Sequence, residues 1–345
     1  MSKGFFSHIS NLVATTRREC RLIRHDAMYL VCLVLFPAIV TLFFTSLLGE
    51  GVPTDMPIGI VDSDHSATSR NITRRLDAFQ TSNVVAFYEN VEAARKAIQK
   101  GEIYGFFYIP NGTEESLLSS RQPKISFYYT MTTLTAGALV FRDMKTISML
   151  SSGAVGQATL RAKGATDMQT MAFLQPITVD LHQISNPYTN YSIYLSTMLI
   201  PGVMMLFMFL VTAYSVGTEL KFGRAHDWLK TAGDNIIVAV TGKMLPQALI
   251  SLTLVFGYMI YVYGFLHFPC PGGFCILLST CILIVFAAEG FGLFAFGLMP
   301  SMRMSMSVCS LWAVLSFSMV GTAFPVFGMD SALQSLSWLF PLRHY

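Results

Sequence analysis

Five stretches of this chain run for 20 or more residues with a single Asp, Glu, Lys or Arg among them, Glu289. No soluble fold buries that much uninterrupted apolar sequence. A helix needs about 20 apolar residues to cross a hydrocarbon core of about 30 Å, where lipid offers no partner for backbone amides and carbonyls. The stretches are residues 27–49, 191–215, 244–268, 274–298 and 305–326. Composition agrees, with 53% hydrophobic and only 12% charged residues and a mean hydropathy of +0.52, where soluble domains carry about 25% charged residues. Pro37, Pro201 and Pro246 fall in or at the edge of these segments, a position that membrane helices tolerate.

The short flanks give an orientation. Lys3, Arg17, Arg18, Arg21 and Arg24 precede the first segment, and Lys221, Arg224, Lys230 and Lys243 lie in the loop 216–243. The positive-inside rule therefore predicts that the N-terminus and this loop are cytoplasmic. Residues 50–190 are then extracytoplasmic, and their Lys and Arg do not conflict with this, because long translocated domains largely escape the rule. The first apolar run exceeds the roughly 7–15 residues of a signal peptide and reads as a permanent anchor. Residues 1–26 carry Phe5, Ile9, Leu12, Val13, Thr16 and Cys20 at helical spacing, with Arg17, Arg21 and Arg24 on another face, the pattern of a helix lying in the membrane interface.

Most of the remaining charge sits in residues 50–190, which alternate strand and helix patterns. Strands are predicted over 57–61, 84–88, 104–109 and 125–129, and helices over 66–79 and 91–99. Asp64 and Ser66 are candidate caps for the first helix. A long amphipathic helix starts at Leu134, and a last strand over 177–181 leads back to the membrane. The predicted fold class is thus an α-helical polytopic membrane protein with five transmembrane helices and an inserted extracytoplasmic α/β domain on a helical stalk. Residues 327–345 form an extracytoplasmic C-terminal segment.

Motifs for chemistry are sparse. There is no phosphate loop of the Gly-x-x-x-x-Gly-Lys-Ser/Thr type, so ATP binding of that kind, if used, belongs to another chain. Ala213-Tyr-Ser-Val-Gly217 lies in an apolar helix instead of the strand-to-helix turn that a nucleophile elbow needs. Asp62, Asp64 and His65 read as a strand end and helix cap, and no His/Cys cluster has metal-ligand spacing. The net charge of +3 is scattered, which excludes a nucleic-acid footprint. Cys270 and Cys275 flank a turn and read as two free thiols rather than a disulfide. Glu289 lies beside small residues in Ala-Ala-Glu-Gly-Phe-Gly; an intramembrane carboxyl usually faces a bundle interior or a water-filled path, so it reads either as a translocation-path residue or as a structural carboxyl at a helix interface.

The segment Ile60-Val-Asp-Ser-Asp-His-Ser-Ala-Thr-Ser-Arg70, followed by Arg74-Arg-Leu-Asp77, resembles the start of the external domain in ABC-2 type permeases, the membrane subunits of bacterial ABC exporters. Ala93 to Glu102, Gly105-Phe-Phe-Tyr-Ile-Pro110, Phe324-Pro325 and Pro341-Leu-Arg-His-Tyr345 resemble later family segments in order. In the loop, Glu219, Gly223, Asp227-Trp228-Leu229, Gly242-Lys243 and Pro246 resemble the family's coupling pattern, with Gly223-Arg224 where Gly-Thr is usual and Asp227 where Glu is common.

The resemblance implies an ATP-driven exporter permease of a hydrophobic or amphipathic compound, placed in the bacterial inner (plasma) membrane. It implies a second permease subunit, a separate ATP-binding cassette ATPase that holds the ATP, and a periplasmic membrane-fusion adaptor, with no cofactor on this chain. Glu219, Asp227, Trp228, Leu229 and Lys243 then form the ATPase coupling loop, with Trp228 as an aromatic anchor that docks into a partner groove. The family has six helices, so the five predicted here imply a chain that lacks the sixth. Two other classes fit parts of the pattern. A membrane-anchored extracytoplasmic sensor would pair with a kinase instead of an ATPase, and a secondary transporter would show an inverted repeat and more intramembrane charge.

Overall fold

The computed structural model describes residues 2–49, 51–119, 121–175, 186, 190–270, 272–322 and 324–345. It is mostly helical and divides into two compact units, Met1–Gly51 with Gln183–Tyr345, and Val52–His182.

The first unit opens with α1 (Ser2–His25), which Asp26 separates from α2 (Ala27–Leu47) by capping Met28 N at 3.0 Å. Pro37 cannot donate to the preceding turn, and α2 widens to π-type turns over Val31–Leu35 just before it. Then follow α8 (Tyr191–Lys221), the short α9 (Ala225–Thr231), α10 (Ile236–Phe265), α11 (Phe274–Leu298) and α12 (Met302–Met319). α8 is the central helix, packed by α2, α11 and α12. The core around it holds Ile200, Met205, Phe209, Met259, Val285 and Cys309. Close approach of α11 depends on Gly292, where a Cβ would stand 2.7 Å from Thr212 Cβ and 3.0 Å from the Phe209 carbonyl. The last residues form α13 (Ser331–Ser337) and α14 (Pro341–His344), and the Phe340 ring packs tilted against Trp312, with centroids 4.6 Å apart.

Among the described residues, α2, α8, α10 and α11 are long and apolar enough to cross a membrane. The fifth predicted span, 305–326, is helical only to Met319. Its 18-residue helix begins beside Arg303, and Gly321 at φ 94° turns the chain before Pro325. The predicted loop 216–243 is also shorter: α8 continues to Lys221 and α10 starts at Ile236. The reason is that the charges in those turns have partners, described below, so they do not end the helices. Cys270 and Cys275 are free thiols.

The second unit has a four-stranded sheet, β1 (Met56–Asp62), β2 (Ser82–Phe87), β3 (Gly105–Ile109) and β4 (Ser126–Tyr129), in the order β2-β1-β3-β4. β1 pairs in parallel with β2 and β3, and β4 runs antiparallel to β3. Parallel strands need crossovers, supplied by α3 (Ala67–Asp77) and α4 (Val91–Lys100). Ile58, Ile60, Phe107 and Ile109 face α3 and α6 (Leu134–Ala162), whereas Val61 and Phe106 face α4. This is the period-two alternation of a sheet covered on both sides. Asp143, buried on α6, accepts from the Thr81 and Ser82 hydroxyls and ties the helix to the start of β2.

Ser66 caps α3 as expected, accepting from Ser69 N at 3.0 Å. Asp64 does something else: its carboxylate accepts from Thr113 N and Glu114 N, at the start of α5 (Thr113–Leu118). Hydrogen bonding from the Ser66 side chain, and then from those backbone amides, holds it below the usual carboxylate range. α5 and α7 (Asp167–Leu174), which returns along α6, have no counterpart in the sequence pattern. The strand expected over 177–181 lies outside the described residues.

The glycine contact yields a stability prediction. Gly292→Val lowers the thermal midpoint of the detergent-solubilised protein, because overpacking costs about 1–3 kcal/mol. Gly290→Val, with nothing within 4 Å of its added Cβ, leaves it unchanged; equal midpoints for the two variants would refute this packing account.

Candidate functional site: a buried charge cluster at the helix elbow

The site forms where α1, the end of α8 and the start of α10 meet. On α1, Asn11, Thr15, Arg18, Glu19 and Leu22 recur at three- and four-residue spacing, a second stripe distinct from the apolar one. Thr15 and Glu19 are fully buried. Gly242 makes the contact with α10 close enough, since a Cβ there would stand 2.8 Å from Thr15 Cβ and 3.3 Å from the Leu12 carbonyl. Lys243, the next residue, then points into the junction.

Lys243 Nζ donates to Glu19 Oε2 at 2.6 Å and to Glu219 Oε1 at 2.9 Å. Arg18 closes the other side with a two-pronged pair to Glu219, both bonds 2.8 Å. Hydrogen bonding to Glu219 raises the Arg18 guanidinium above its ordinary value, against the opposing effect of burial. Glu19 Oε1 accepts from Ser215 Oγ at 3.1 Å and from Gln247 Nε2 at 3.4 Å, and Gln247 also donates to Ser215 at 2.7 Å. Lys243 and Arg18 neutralise the two carboxylates, and the Arg224 guanidinium lies 3.9 Å from Glu219 Oε2 at the edge of the cluster. Burying charges is costly, and what such a cluster secures is a defined arrangement more than net stability. Removing one member is a different matter, because the others are left unpaired.

The elbow between α8 and α10 hangs on this cluster. Gly223 at φ 66° ends α8, and its neighbour Arg224 bonds through its backbone amide to the Glu219 carbonyl at 2.8 Å. α9 follows, and Gly233 and Asp234, both left-handed, turn the chain into α10, which Asn235 caps through Ile237 N at 2.9 Å. Trp228 lies inside the elbow, 5% exposed, packed with Val216, Ala232, Ala239, Met244 and Phe296. Its Nε1 donates to the Ala239 carbonyl at 3.1 Å, and the Lys243 ammonium sits 5.3 Å from its ring centroid. Cation–π attraction adds to the hold on Lys243.

Of the residues singled out in the sequence, Glu219, Trp228 and Lys243 come together here. The expectation that Trp228 docks into a partner is corrected: its ring faces inward and anchors the elbow itself. Lys243 is likewise internal. Leu229 is half-buried beside Trp228, and Asp227 is exposed with His226 and Lys230. Glu289 is elsewhere, buried on α11 on one face with Val285, Ala288 and Gly292; its Oε1 has no hydrogen-bond partner among the described residues. The sequence reading missed Glu19, Ser215 and Gln247. One signal was available: Glu19 is the single acid of an otherwise basic α1.

Lys243→Met leaves two carboxylates facing each other in a dry junction and destabilises by about 3–5 kcal/mol, the usual cost of breaking a buried pair. Adding Glu19→Gln recovers part of that loss. Measured as thermal midpoints in detergent, purely additive effects of the two changes would contradict the pairing.

The model of the ABC-2 family transporter proteins matches residues 27–345. The probable multidrug ABC transporter permease YbhR of Escherichia coli K12 is 23% identical over 163 residues, which cover 46% of this chain and 43% of that protein. The same protein of Escherichia coli O157:H7 matches to the same extent. This chain therefore matches less than half the length of these curated relatives. No solved structure matches. With a family match across nearly the whole chain, and four helices among the described residues fit to cross a membrane, the protein belongs to the ABC-2 family of transporter permeases.

Proposed function

We propose that this chain is the membrane subunit of an ATP-driven exporter, moving a hydrophobic or amphipathic compound outward while a separate ATP-binding cassette subunit hydrolyses ATP. Family membership supports the class, and the name of the Escherichia coli relatives supports a multidrug-type substrate. The observation that carries the mechanism is the elbow, a short helix anchored by the packed Trp228 between the ends of α8 and α10, which buried charge joins to each other and to α1.

In this reading the elbow and α1 are cytoplasmic and the Val52–His182 unit is extracytoplasmic, as the basic flanks require. α12 is the fifth, shorter crossing. A second permease subunit completes the path, and the size of the external unit suits a periplasmic adaptor. The outer side of the elbow meets the ATPase through exposed Phe222, His226, Asp227 and Lys230. Glu219 and Lys243 act behind that surface: they make α8, α10 and α1 move together when the ATPase pushes. A rigid link is needed, because ATP binding shifts populations only between states that differ in contacts. Glu289 sits on the buried face of α11, which such a movement would open, and an unpartnered carboxyl there is suited to meet water or substrate.

Purification in mild detergent recovers an ATPase subunit, and Phe222→Asp with Asp227→Lys abolishes its recovery and ATP-dependent efflux while the permease still accumulates. If wild-type purification yields no ATPase and vesicles show no ATP-dependent efflux, the exporter assignment is wrong. Glu289→Gln lowers efflux by about tenfold or more at equal expression, the scale of a lost buried polar contact; wild-type efflux from this variant removes Glu289 from the mechanism.

A further inference from the structure

α1 has three working faces, and only one is used by the cluster. Around the helix from Thr15 and Glu19, Ile9 and Val13 are 43% and 44% exposed, and Cys20 on the same stripe is exposed too. Next to that stripe, away from the buried face, lie Arg17, Arg21 and Arg24, all exposed. The single acid of the helix, Glu19, points inward, so among the described residues the outer surface of α1 presents cations and no carboxylate. α1 ends at His25, and α2, the first helix fit to cross a membrane, begins at Ala27. The chain itself therefore holds this surface at the edge of the bilayer, where an apolar stripe sinks to the acyl boundary and flanking cations meet headgroups.

We propose that α1 is a sensor for anionic phospholipid headgroups, bound by Arg17, Arg21 and Arg24, and that the buried charge cluster transmits its occupancy to the elbow. The physical link is short. Arg18 and Glu19 follow Arg17 in sequence, and they hold Glu219 at the end of α8 and Lys243 on α10. A headgroup that fixes the outer face of α1 fixes the depth and rotation of Arg18 and Glu19, and with them the residues from which the elbow hangs. In a neutral membrane the three arginines have no counter-charge at the surface, α1 samples more positions, and the elbow loosens with it. The consequence for transport rests on the proposed ATPase contact; the lipid response itself does not need an ATPase.

The full chain in nanodiscs of phosphatidylcholine, alone or mixed with phosphatidylglycerol, tests this by hydrogen exchange. Phosphatidylglycerol is expected to slow exchange across both α1 and the elbow, residues 222–235, by about tenfold or more, given three arginines at a charged surface. The triple variant Arg17→Gln, Arg21→Gln, Arg24→Gln loses the response in both segments. Glu19→Gln and, separately, Arg18→Lys keep it in α1 and lose most of it in the elbow, which a merely structural role for the cluster would not produce. Equal exchange in the two nanodiscs, or slowing confined to α1 in the wild type, overturns the proposal. Inorganic phosphate added to phosphatidylcholine discs is expected to change nothing; if it reproduces the effect, the surface binds free anions and the lipid assignment fails. Failure to recover an ATPase would count against the exporter reading and leave these outcomes as they stand.

Discussion

The helical unit depends on one ammonium group. Lys243 is fully buried at a junction of three helices, and its charge is tolerable only because Glu19 and Glu219 are within 2.6 and 2.9 Å. Neither carboxylate is replaceable by local sequence, since one comes from residue 19 and the other from residue 219. The arrangement therefore fixes how three distant parts of the chain meet, which apolar packing does less selectively. Gly242 and Thr15 set the approach, Arg18 and Ser215 satisfy the remaining oxygens, and Trp228 closes the junction from the elbow side.

This cluster gives the elbow a property suited to coupling. A solvated connector between two helices transmits little, because its own freedom absorbs displacement. Here the connector contains a short helix whose tryptophan is packed inside, glycines where the chain must adopt positive φ, and an arginine amide bonded to the last turn of α8. Displacement of its outer surface is therefore passed to α8, the helix that contacts α2, α11 and α12. α1 also packs on this elbow, where Gly233 lies against Asn11.

Much of the architecture was legible in the sequence. Apolar length located α2, α8, α10 and α11, and alternation located all four strands within two residues of their starts. What failed did so for physical reasons. Charges end helices where they face lipid or water, yet Glu219 and Lys243 lie inside helices because each has a partner. The resemblance makes Trp228 an outward anchor, whereas its indole donates to a carbonyl eleven residues ahead. Asp64 was a plausible cap for the helix beside it, and instead caps one 49 residues away.

What the sequence by itself determined is the solvent of each segment: apolar length and the paucity of charge assign five segments to lipid, four of which are helices long and apolar enough to cross a membrane among the described residues, and the placement of Lys and Arg predicts their direction. It also determined the period-two and helical patterns of the Val52–His182 unit. Only the tertiary structure decided which charges are isolated and which are neutralised. Pairing depends on distance in space, and apart from Glu19 being the single acid of α1, residues 18, 219 and 243 carry no mark in the sequence that they will share one dry junction.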